Sequence, residues 1–244
     1  MTSSQQNAVN ETLLETEDLH YHYADGTVAL RGVSLRIARH EKVGLVGPNG
    51  SGKSTLLMCL SGLFSGHGLV RIEGIEVTGP RTAGIRGRVG LVFQNPDDQL
   101  FMPTLADDLA FGPINLGLDA TEVRTRVEEA AAAMGLSPLL DRPPHHLSMG
   151  QKRNAAIATV LAMRPAALLM DEPSSNLDPR SRGRLIQVLQ ALESTMLVAS
   201  HDLALVERVC PRVLVIDEGR IVADGPARDI LGDAGLMERY GLSP

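Results

Sequence analysis

The sequence has little cysteine, no excess of positive charge and no long apolar run. Its two cysteines, Cys59 and Cys210, are too few for a disulfide framework and lie in apolar patterns, so we expect buried thiols in a reducing compartment. A net charge of −6 leaves no basic footprint for nucleic acid. No apolar run approaches the ~20 residues of a membrane-spanning helix, so any membrane role would pass through a partner.

The composition otherwise fits one domain. The 244 residues, 43% of them hydrophobic, can bury a sizeable core and leave room for an inserted subdomain. The polar start Met1–Asn10 lacks the charged and apolar regions of a signal peptide. We therefore expect a disordered tail at residues 1–10 and a single domain over residues 11–244.

A glycine-rich loop is the most informative motif that is present. Gly47–Ser54 fits the pattern GxxxxGK[ST], in which successive backbone N–H groups bind nucleotide phosphates. The apolar run that begins at Val43 predicts a strand before the loop, and leucines at helical spacing predict a helix after it as far as Gly66. Because a chance glycine-rich turn would lack both flanks, the loop predicts ATP or GTP binding, with Lys53 at the β- and γ-phosphates.

Two adjacent carboxylates follow another apolar run, Leu168–Met170. Asp171 and Glu172 stand where that strand ends, which is where ligands bind in a parallel α/β sheet. Successive residues point in different directions, so Asp171 is expected to share Mg²⁺ with Ser54 while Glu172 faces the attacking water. An ordinary acidic turn is the alternative, but it would not account for the phosphate loop upstream.

The remaining patterns describe a mixed α/β chain. Segments of β type from Thr12 to Ile37 predict the start of a small antiparallel sheet. Asp119 and Glu122 predict a capping box ahead of an amphipathic helix that stops at Gly135. The helical stretch over about residues 95–160 interrupts the alternation of strands and helices, as an inserted helical subdomain would.

A second helix start carries Ser148 at the N-cap, Gly150, and Gln151 at the N3 position. An exposed helix start that contains glycine is also an anion site, and a dimer could bring it to the nucleotide of the other chain. From the residues alone, simple helix capping is the stronger interpretation.

Six motifs, taken in order, resemble the complete series of the ATP-binding cassette (ABC) ATPases over nearly the whole chain. They are Gly47–Thr55, Gln94, Leu147–Gln151, Leu169–Pro173, Ser174–Asp178 and Ser200–Asp202. This resemblance implies a P-loop ABC ATPase fold, an α/β core with an antiparallel β-subdomain and an inserted helical subdomain. It also implies an enzyme that hydrolyses ATP with Mg²⁺.

The resemblance assigns roles to single residues. Gln94 would sense Mg²⁺ and the γ-phosphate, and His201 would be the switch histidine on that phosphate; with Glu172 they are the expected catalytic residues. Tyr23 matches the aromatic that stacks on adenine, although without the resemblance it would be a half-buried strand tyrosine. The expected Mg²⁺ ligands are Ser54, Gln94 and Asp171. The expected nucleotide-binding residues are Tyr23, Gly47, Pro48, Asn49, Gly50, Ser51, Gly52, Lys53, Ser54, Thr55, Ser148, Gly150 and Gln151.

A narrower resemblance follows Gln94. The stretch Val92–Phe101 and the closing Asp224–Pro226 look like the ATPases of energy-coupling factor (ECF) importers, and Gly150–Arg153 is similar to their cobalt/nickel branch. Met149 stands where many ABC signatures have glycine, and Asn176 stands where alanine is usual. The signature position varies in this subfamily, so Met149 is compatible with ATPase activity. Asn176 instead affects the expected geometry of the contact between two chains.

These resemblances imply a head-to-tail homodimer, peripheral at the cytoplasmic face of the membrane, beneath an integral membrane importer docked at Gln94–Phe101. By the same resemblance, the cargo would be a cobalt or nickel cation. We expect the membrane partner to bind it, because this chain's candidate ligands His20, His22, His145 and His146 have no partner ligands at metal spacing. The alternatives are the ATPase of another ABC importer or exporter, and a soluble ABC protein acting on DNA or the ribosome. A nucleotide kinase would leave the Ser148 and His201 motifs unexplained.

Overall fold

The computed structural model describes residues 12–77, 85 and 87–242, so the predicted tail Met1–Asn10 lies outside the described residues. The strands are β1 Thr12–His22, β2 Val28–Ala38, β3 Lys42–Val46, β4 His67–Ile72, β5 Ile75–Glu76, β6 Val89–Val92, β7 Ala167–Asp171, β8 Thr195–Ala199, β9 Arg212–Asp217 and β10 Arg220–Pro226. The α-helices are α1 Lys53–Leu60, α2 Leu105–Asn115, α3 Ala120–Ala133, α4 Met149–Leu161, α5 Pro179–Ala191, α6 Leu203–Val209, α7 Ala227–Gly232 and α8 Ala234–Arg239. Within the described ranges, no helix combines the length and the apolar character that crossing a membrane requires.

A six-stranded sheet in the order β10-β9-β3-β8-β7-β6 forms the centre of the fold. Its neighbouring strands are parallel except for the β9–β10 hairpin. Strands β7 and β8 are buried along their whole length, which explains why their sequences are continuous apolar runs. Because the strands are parallel, the C-terminal ends of β3, β7 and β8 meet at one edge.

A second sheet confirms the predicted antiparallel subdomain. Its order is β2-β1-β4-β5, and β1 pairs with both β2 and β4 in the antiparallel sense. The turn between β1 and β2 is closed by the side chain of Asp25, which accepts a hydrogen bond of 2.9 Å from the Thr27 N–H. This turn places Tyr23 and the start of β2 beside the phosphate loop.

Two hydrophobic clusters lie on opposite faces of the central sheet. Leu45 and Leu169 belong to the cluster beneath the antiparallel sheet, whereas their neighbours Val46 and Met170 belong to the cluster beneath the helices. This split follows from the pleat, because successive strand residues point to opposite faces. The helices between residues 105 and 161 share the second cluster with the core strands.

Two predicted helix boundaries need correction. The helix after the phosphate loop ends at Leu60 and does not continue to Gly66; Gly62 has φ of 72°, in the left-handed region that stops a helix. The predicted capping box at Asp119 is only half present. Asp119 accepts hydrogen bonds from Thr121 N and Glu122 N, but the Glu122 carboxylate instead accepts from Arg126 at 2.8 Å.

Candidate nucleotide site

The phosphate loop connects β3 to α1, as its sequence predicts. Gly50 and Gly52 have φ of 79° and 108°, both in the left-handed region. Because the N-cap residue Gly52 has no side chain, no side-chain cap occupies the first N–H groups of α1. A Cβ on Gly47 would lie 2.1 Å from the Ile216 carbonyl oxygen. Glycine is therefore required here, and the loop presents backbone N–H groups where a phosphate can approach.

A cavity of about 1020 Å³ opens beside this loop. Nearly all the residues predicted to bind nucleotide on the same chain line it. They are Tyr23, Gly47, Pro48, Asn49, Gly50, Gly52, Lys53, Ser54 and Thr55. Gln94, Asp171, Glu172 and His201 line the same cavity, so the motifs that follow the loop in the sequence converge on it. Ser51 of the loop is itself buried, and its hydroxyl oxygen has no hydrogen-bond partner among the described residues.

Lys53 is held inside the loop. Its side-chain nitrogen donates to the carbonyl oxygens of Gly47 at 2.8 Å and Pro48 at 2.9 Å, and only 7% of the residue is exposed. Burial lowers the pKa of Lys53, and the negative charges of Glu172 and Asp171 oppose that effect. The ammonium group is therefore poorly solvated and suited to binding an anion.

Asp171 has the character of a metal ligand. Burial raises its pKa, while the hydrogen bond from Ser54 and the charge of Lys53 act in the opposite direction. Its buried Oδ1 atom has no hydrogen-bond partner among the described residues. A buried oxygen without a partner beside a serine hydroxyl fits Mg²⁺, which takes oxygen ligands, usually with phosphate and water completing its shell.

Glu172 lies just beyond β7 in a constrained conformation. Its φ is 48°, a value that residues other than glycine rarely adopt. Its N–H donates to the Ala199 carbonyl oxygen at 2.8 Å. The buried carboxylate accepts from Ser200 Oγ at 3.1 Å and from His201 N at 3.1 Å. His201 Nδ1 lies 2.8 Å from Glu172 Oε2, although 65% of the histidine side chain is exposed. Two of the three predicted catalytic groups are thus in direct contact.

The sequence interpretation gave no role to the groups that hold Asp202. Its carboxylate accepts from Arg182 and, at 2.9 Å, from Ser174 Oγ, and it caps α6 through Leu205 N. Burial would raise the pKa of Asp202, but these hydrogen bonds, chiefly that from Arg182, hold it below its ordinary value. Arg182 also lines the nucleotide cavity. No sequence signal beyond its place on the helix after Asp178 could have identified it.

Gln94 lines the cavity at the point where β6 ends. The segment beyond it is fixed by Gln99, a residue that sequence reasoning missed. The Gln99 side chain accepts from Phe93 N at 3.1 Å and donates to Ala156 O at 2.7 Å and Thr159 Oγ1 at 2.8 Å. The turn after Gln94 is therefore fastened to helix α4.

Tyr23 lies at the cavity edge, 38% exposed. Its hydroxyl is 2.8 Å from Thr55 Oγ1, and its ring meets Tyr21 edge to face with a centroid distance of 5.2 Å. This position allows contact with a base beyond the phosphate loop, so adenine stacking stays a prediction.

The Ser148 helix start faces a different cavity. The predicted capping box is present, since Ser148 Oγ accepts from Gln151 N at 3.3 Å and Gln151 Oε1 accepts from Ser148 N at 2.9 Å. Ser148, Gly150 and Gln151 line a cavity of about 790 Å³ that shares no residue with the nucleotide cavity. A Cβ on Gly150 would lie 2.8 Å from Ser181 Oγ, so a larger residue here would require Ser181 to shift. Within one chain, the structure does not bring these residues to the phosphate loop.

The stretch after Gln94 combines an internal ion pair with exposed apolar side chains. Asp97 pairs with Lys152 at 2.6 Å, so its charge is already balanced within the chain. Phe101, Phe111 and Ile114 are exposed by 62%, 45% and 60%, and the two rings meet edge to face. We call these three residues the apolar surface. A contiguous exposed apolar patch is a candidate site for a protein partner.

The remaining candidate metal ligands are the histidines and cysteines. His20 Nε2 lies 2.9 Å from Asp18 Oδ1, and the described residues contain no group of three or more metal-binding side chains. Both cysteines are free and buried, as predicted, and burial raises the pKa of Cys59 and Cys210 to about 12 each.

The phosphate loop, the paired carboxylates at a parallel strand end and the antiparallel and helical additions define a P-loop nucleotide hydrolase. The family model of ABC transporters matches residues 30–175. The chain belongs to the ABC transporter family of ATP-hydrolysing subunits.

Two curated relatives cover nearly all of this chain. A protein of Gloeobacter violaceus, named provisionally as an ABC transporter ATP-binding protein, is 50% identical over 232 residues, which are 94% of this chain and 95% of the relative. The energy-coupling factor transporter ATP-binding protein EcfA of Methanothermobacter thermautotrophicus is 42% identical over 236 residues, which are 94% of this chain and 76% of the relative.

Two solved structures extend the comparison. The structure of cbiO1 from Clostridium perfringens, described as part of the ABC transporter complex cbiONQ, matches with a TM-score of 0.83 and 35% identity over 95% of each chain. A dimeric structure of a bacterial ABC transporter cassette matches with a TM-score of 0.79 and 27% identity, over 88% of this chain and 99% of that one.

Proposed function

We propose that this chain energises an ECF-type importer whose cargo is a transition-metal cation, cobalt or nickel. Two likenesses support the proposal, one to an energy-coupling factor ATPase and one to the cbiO1 subunit of a cbiONQ complex. The observation that carries it is the apolar surface, whose residue Phe101 follows the cavity residue Gln94 by seven positions, because an ATPase that drives transport needs a docking surface connected to its nucleotide sensor.

At the nucleotide, the phosphate loop and Lys53 bind the phosphates, and Tyr23 stacks on adenine. Bound Mg²⁺, held by Ser54, Gln94 and Asp171, would offset negative charge on the β- and γ-phosphates. Glu172 orients the attacking water and accepts its proton. His201 contacts Glu172 in this structure and would approach the γ-phosphate when nucleotide is bound.

The active unit in this proposal is a head-to-tail homodimer. The Ser148 helix start and the phosphate loop are both anion sites, yet on one chain they face separate cavities. A second copy would place its Ser148, Gly150 and Gln151 over the nucleotide of the first, and would close both cavities at once. The dimeric form of a related cassette supports this arrangement.

The membrane component would dock on the apolar surface through an amphipathic helix. Since Asp97 already pairs with Lys152, Asp98 is the carboxylate of the segment Gln94–Phe101 that would contact a basic group on that helix. This assembly would hold the chain at the cytoplasmic face of the membrane as a peripheral subunit. The ATPase of an importer for a vitamin or another small solute is the second candidate, because the site is independent of cargo.

The test is uptake of labelled Co²⁺ and Ni²⁺ by cells that lack this protein and carry either the wild-type chain or Glu172→Gln. We expect uptake of one of the two cations with the wild-type chain and background uptake with the variant. Uptake of a labelled vitamin is measured in parallel. Vitamin uptake that depends on Glu172, with metal uptake unaffected, would replace the metal proposal by the second candidate.

A further inference from the structure

Helix α4 carries an arginine that is completely buried. Arg153 has 0% exposure and lies on the same helix as the buried residues Ala156, Ile157 and Val160. Burying a guanidinium group is unfavourable unless its charge and its N–H groups are compensated. An arginine at this position therefore has a cost in stability that an apolar residue would avoid.

Part of the compensation comes from two loops of the nucleotide site, whereas the buried Nε atom has no hydrogen-bond partner among the described residues. Arg153 Nη1 donates to the Phe93 carbonyl oxygen at 3.1 Å, and Nη2 donates to the Ser175 carbonyl oxygen at 3.3 Å. Phe93 immediately precedes the cavity residue Gln94, and Ser175 lies in the turn between Glu172 and Asp178. One planar side chain thus ties the helix that starts at Ser148 to both loops.

Arg153 also supplies a fixed positive charge near the two carboxylates. Burial lowers its pKa, and the charges of Glu172 and Asp171 oppose that effect. A guanidinium group stays protonated in proteins, so this charge does not switch off with pH. Among the residues that line the nucleotide cavity in the described part of the chain, Arg153 is absent, so any effect on the reaction acts through its neighbours.

We propose that Arg153 is a positioning residue for ATP hydrolysis. It holds Gln94 and the turn at Ser175 in fixed positions relative to Glu172. Two more side chains fasten the same segment to α4, namely Gln99 through Ala156 and Thr159, and Lys152 through Asp97. Arg153 is the one of these that reaches both loops. Its loss would free the reacting groups without removing any atom that binds ATP.

The experiment compares Arg153→Met and Arg153→Lys with Arg212→Met in the full-length chain. Arg212 is the matched control, because it pairs with Glu41 and Asp224 at the start of β9, at the opposite end of the strands from the phosphate loop. For each variant we would measure the melting temperature, the KM for ATP and kcat, at a temperature where all the chains are folded.

We expect Arg153→Met to lower kcat by about 10- to 100-fold while KM changes by less than about threefold, which is the pattern of a contact needed mainly in the transition state. Arg153→Lys keeps the charge and one of the two contacts, so its kcat should fall between that of the Arg153→Met variant and that of the wild-type chain. Arg212→Met should lower the melting temperature with kcat close to wild type.

Two results would overturn the proposal. One is a folded Arg153→Met chain with kcat within about twofold of wild type, and the other is an equal loss of kcat in Arg212→Met. Should Arg153→Met not fold, Arg153→Lys alone decides the matter. Wild-type kcat in that folded variant would show that the two-loop contact has no part in hydrolysis.

Discussion

At the scale of single residues, Glu172 combines backbone strain with a tightly held carboxylate. A left-handed φ of 48° costs about 1–3 kcal/mol for a residue with a side chain, and it persists where the surroundings enforce it. Here the enforcing contacts are the Ala199 carbonyl, Ser200 and His201. Strain at this one position directs the carboxylate into the cavity, away from the line of β7.

Glu172→Gln tests the proposed general base. The amide keeps the shape of the side chain and an oxygen that can accept from Ser200 and His201, but it cannot accept a proton from water. Turnover should fall by about 10²- to 10⁴-fold while ATP binding is retained, so that an ATP-bound dimer accumulates. Turnover and equilibrium binding of ATP are the two measurements. Near-normal hydrolysis would remove Glu172 from this role.

Lys53→Ala tests the phosphate contact. In the proposed site Lys53 would face the bound phosphates, so deleting this buried cation should remove a ground-state interaction and lower the affinity for ATP along with turnover. Lys42→Ala is the control, because the Lys42 ammonium donates to the carbonyls of Leu189 and Gln190 away from the cavity. Equal ATP affinity in the two variants would contradict the assignment of Lys53.

Asp202→Asn tests the ion pair with Arg182 through the pH dependence of stability. The folded-state pKa of Asp202 is lowered, so its contribution is present above the unfolded pKa of about 3.9 and is lost as pH falls through the folded pKa. We expect the variant to be less stable by about 1–3 kcal/mol at neutral pH. Urea denaturation at neutral pH and near pH 3 would show the difference shrinking in acid; a difference independent of pH would contradict the account.

At the scale of elements, the sequence predicted what depends on local pattern. The strand, glycine loop and helix around Lys53 and the cap at Ser148 all follow from residue spacing and turn chemistry. The burial of Arg153 and the pair of Asp97 with Lys152 could not be predicted, because their partners are brought together only by the folded chain. One hint was available, since Arg153 shares a helical face with Ile157 and Val160.

Phe101→Asp tests the apolar surface as a docking element. A charge on a residue that is 62% exposed should leave the isolated chain folded and able to bind ATP, yet it would be buried unpaired under a docked helix. Val222→Asp, at a 37% exposed position on the edge strand β10, is the control. We expect Phe101→Asp alone to lose co-purification with the membrane component. Retention of both variants would eliminate this docking surface.

At the scale of the whole molecule, the proposed homodimer requires that one chain supply two different halves of a site. The phosphate loop, Asp171 and Glu172 share one cavity, while Ser148 and Gly150 lie at another. A dimer would convert two half-sites into two composite sites. In that arrangement, an opening or closing motion between the chains is linked to hydrolysis and is available to a membrane partner.

The most direct test of this account mixes Lys53→Ala with Ser148→Arg. Each parent dimer carries a lesion in both composite sites and should hydrolyse ATP slowly. In a mixed dimer, one site carries both lesions and the other carries neither, so turnover in the mixture should rise well above that of either parent. Exchange of chains between dimers is confirmed with differently tagged variants. Turnover that stays at the parental level in dimers shown to contain both variants would contradict a site assembled from two chains and able to act singly.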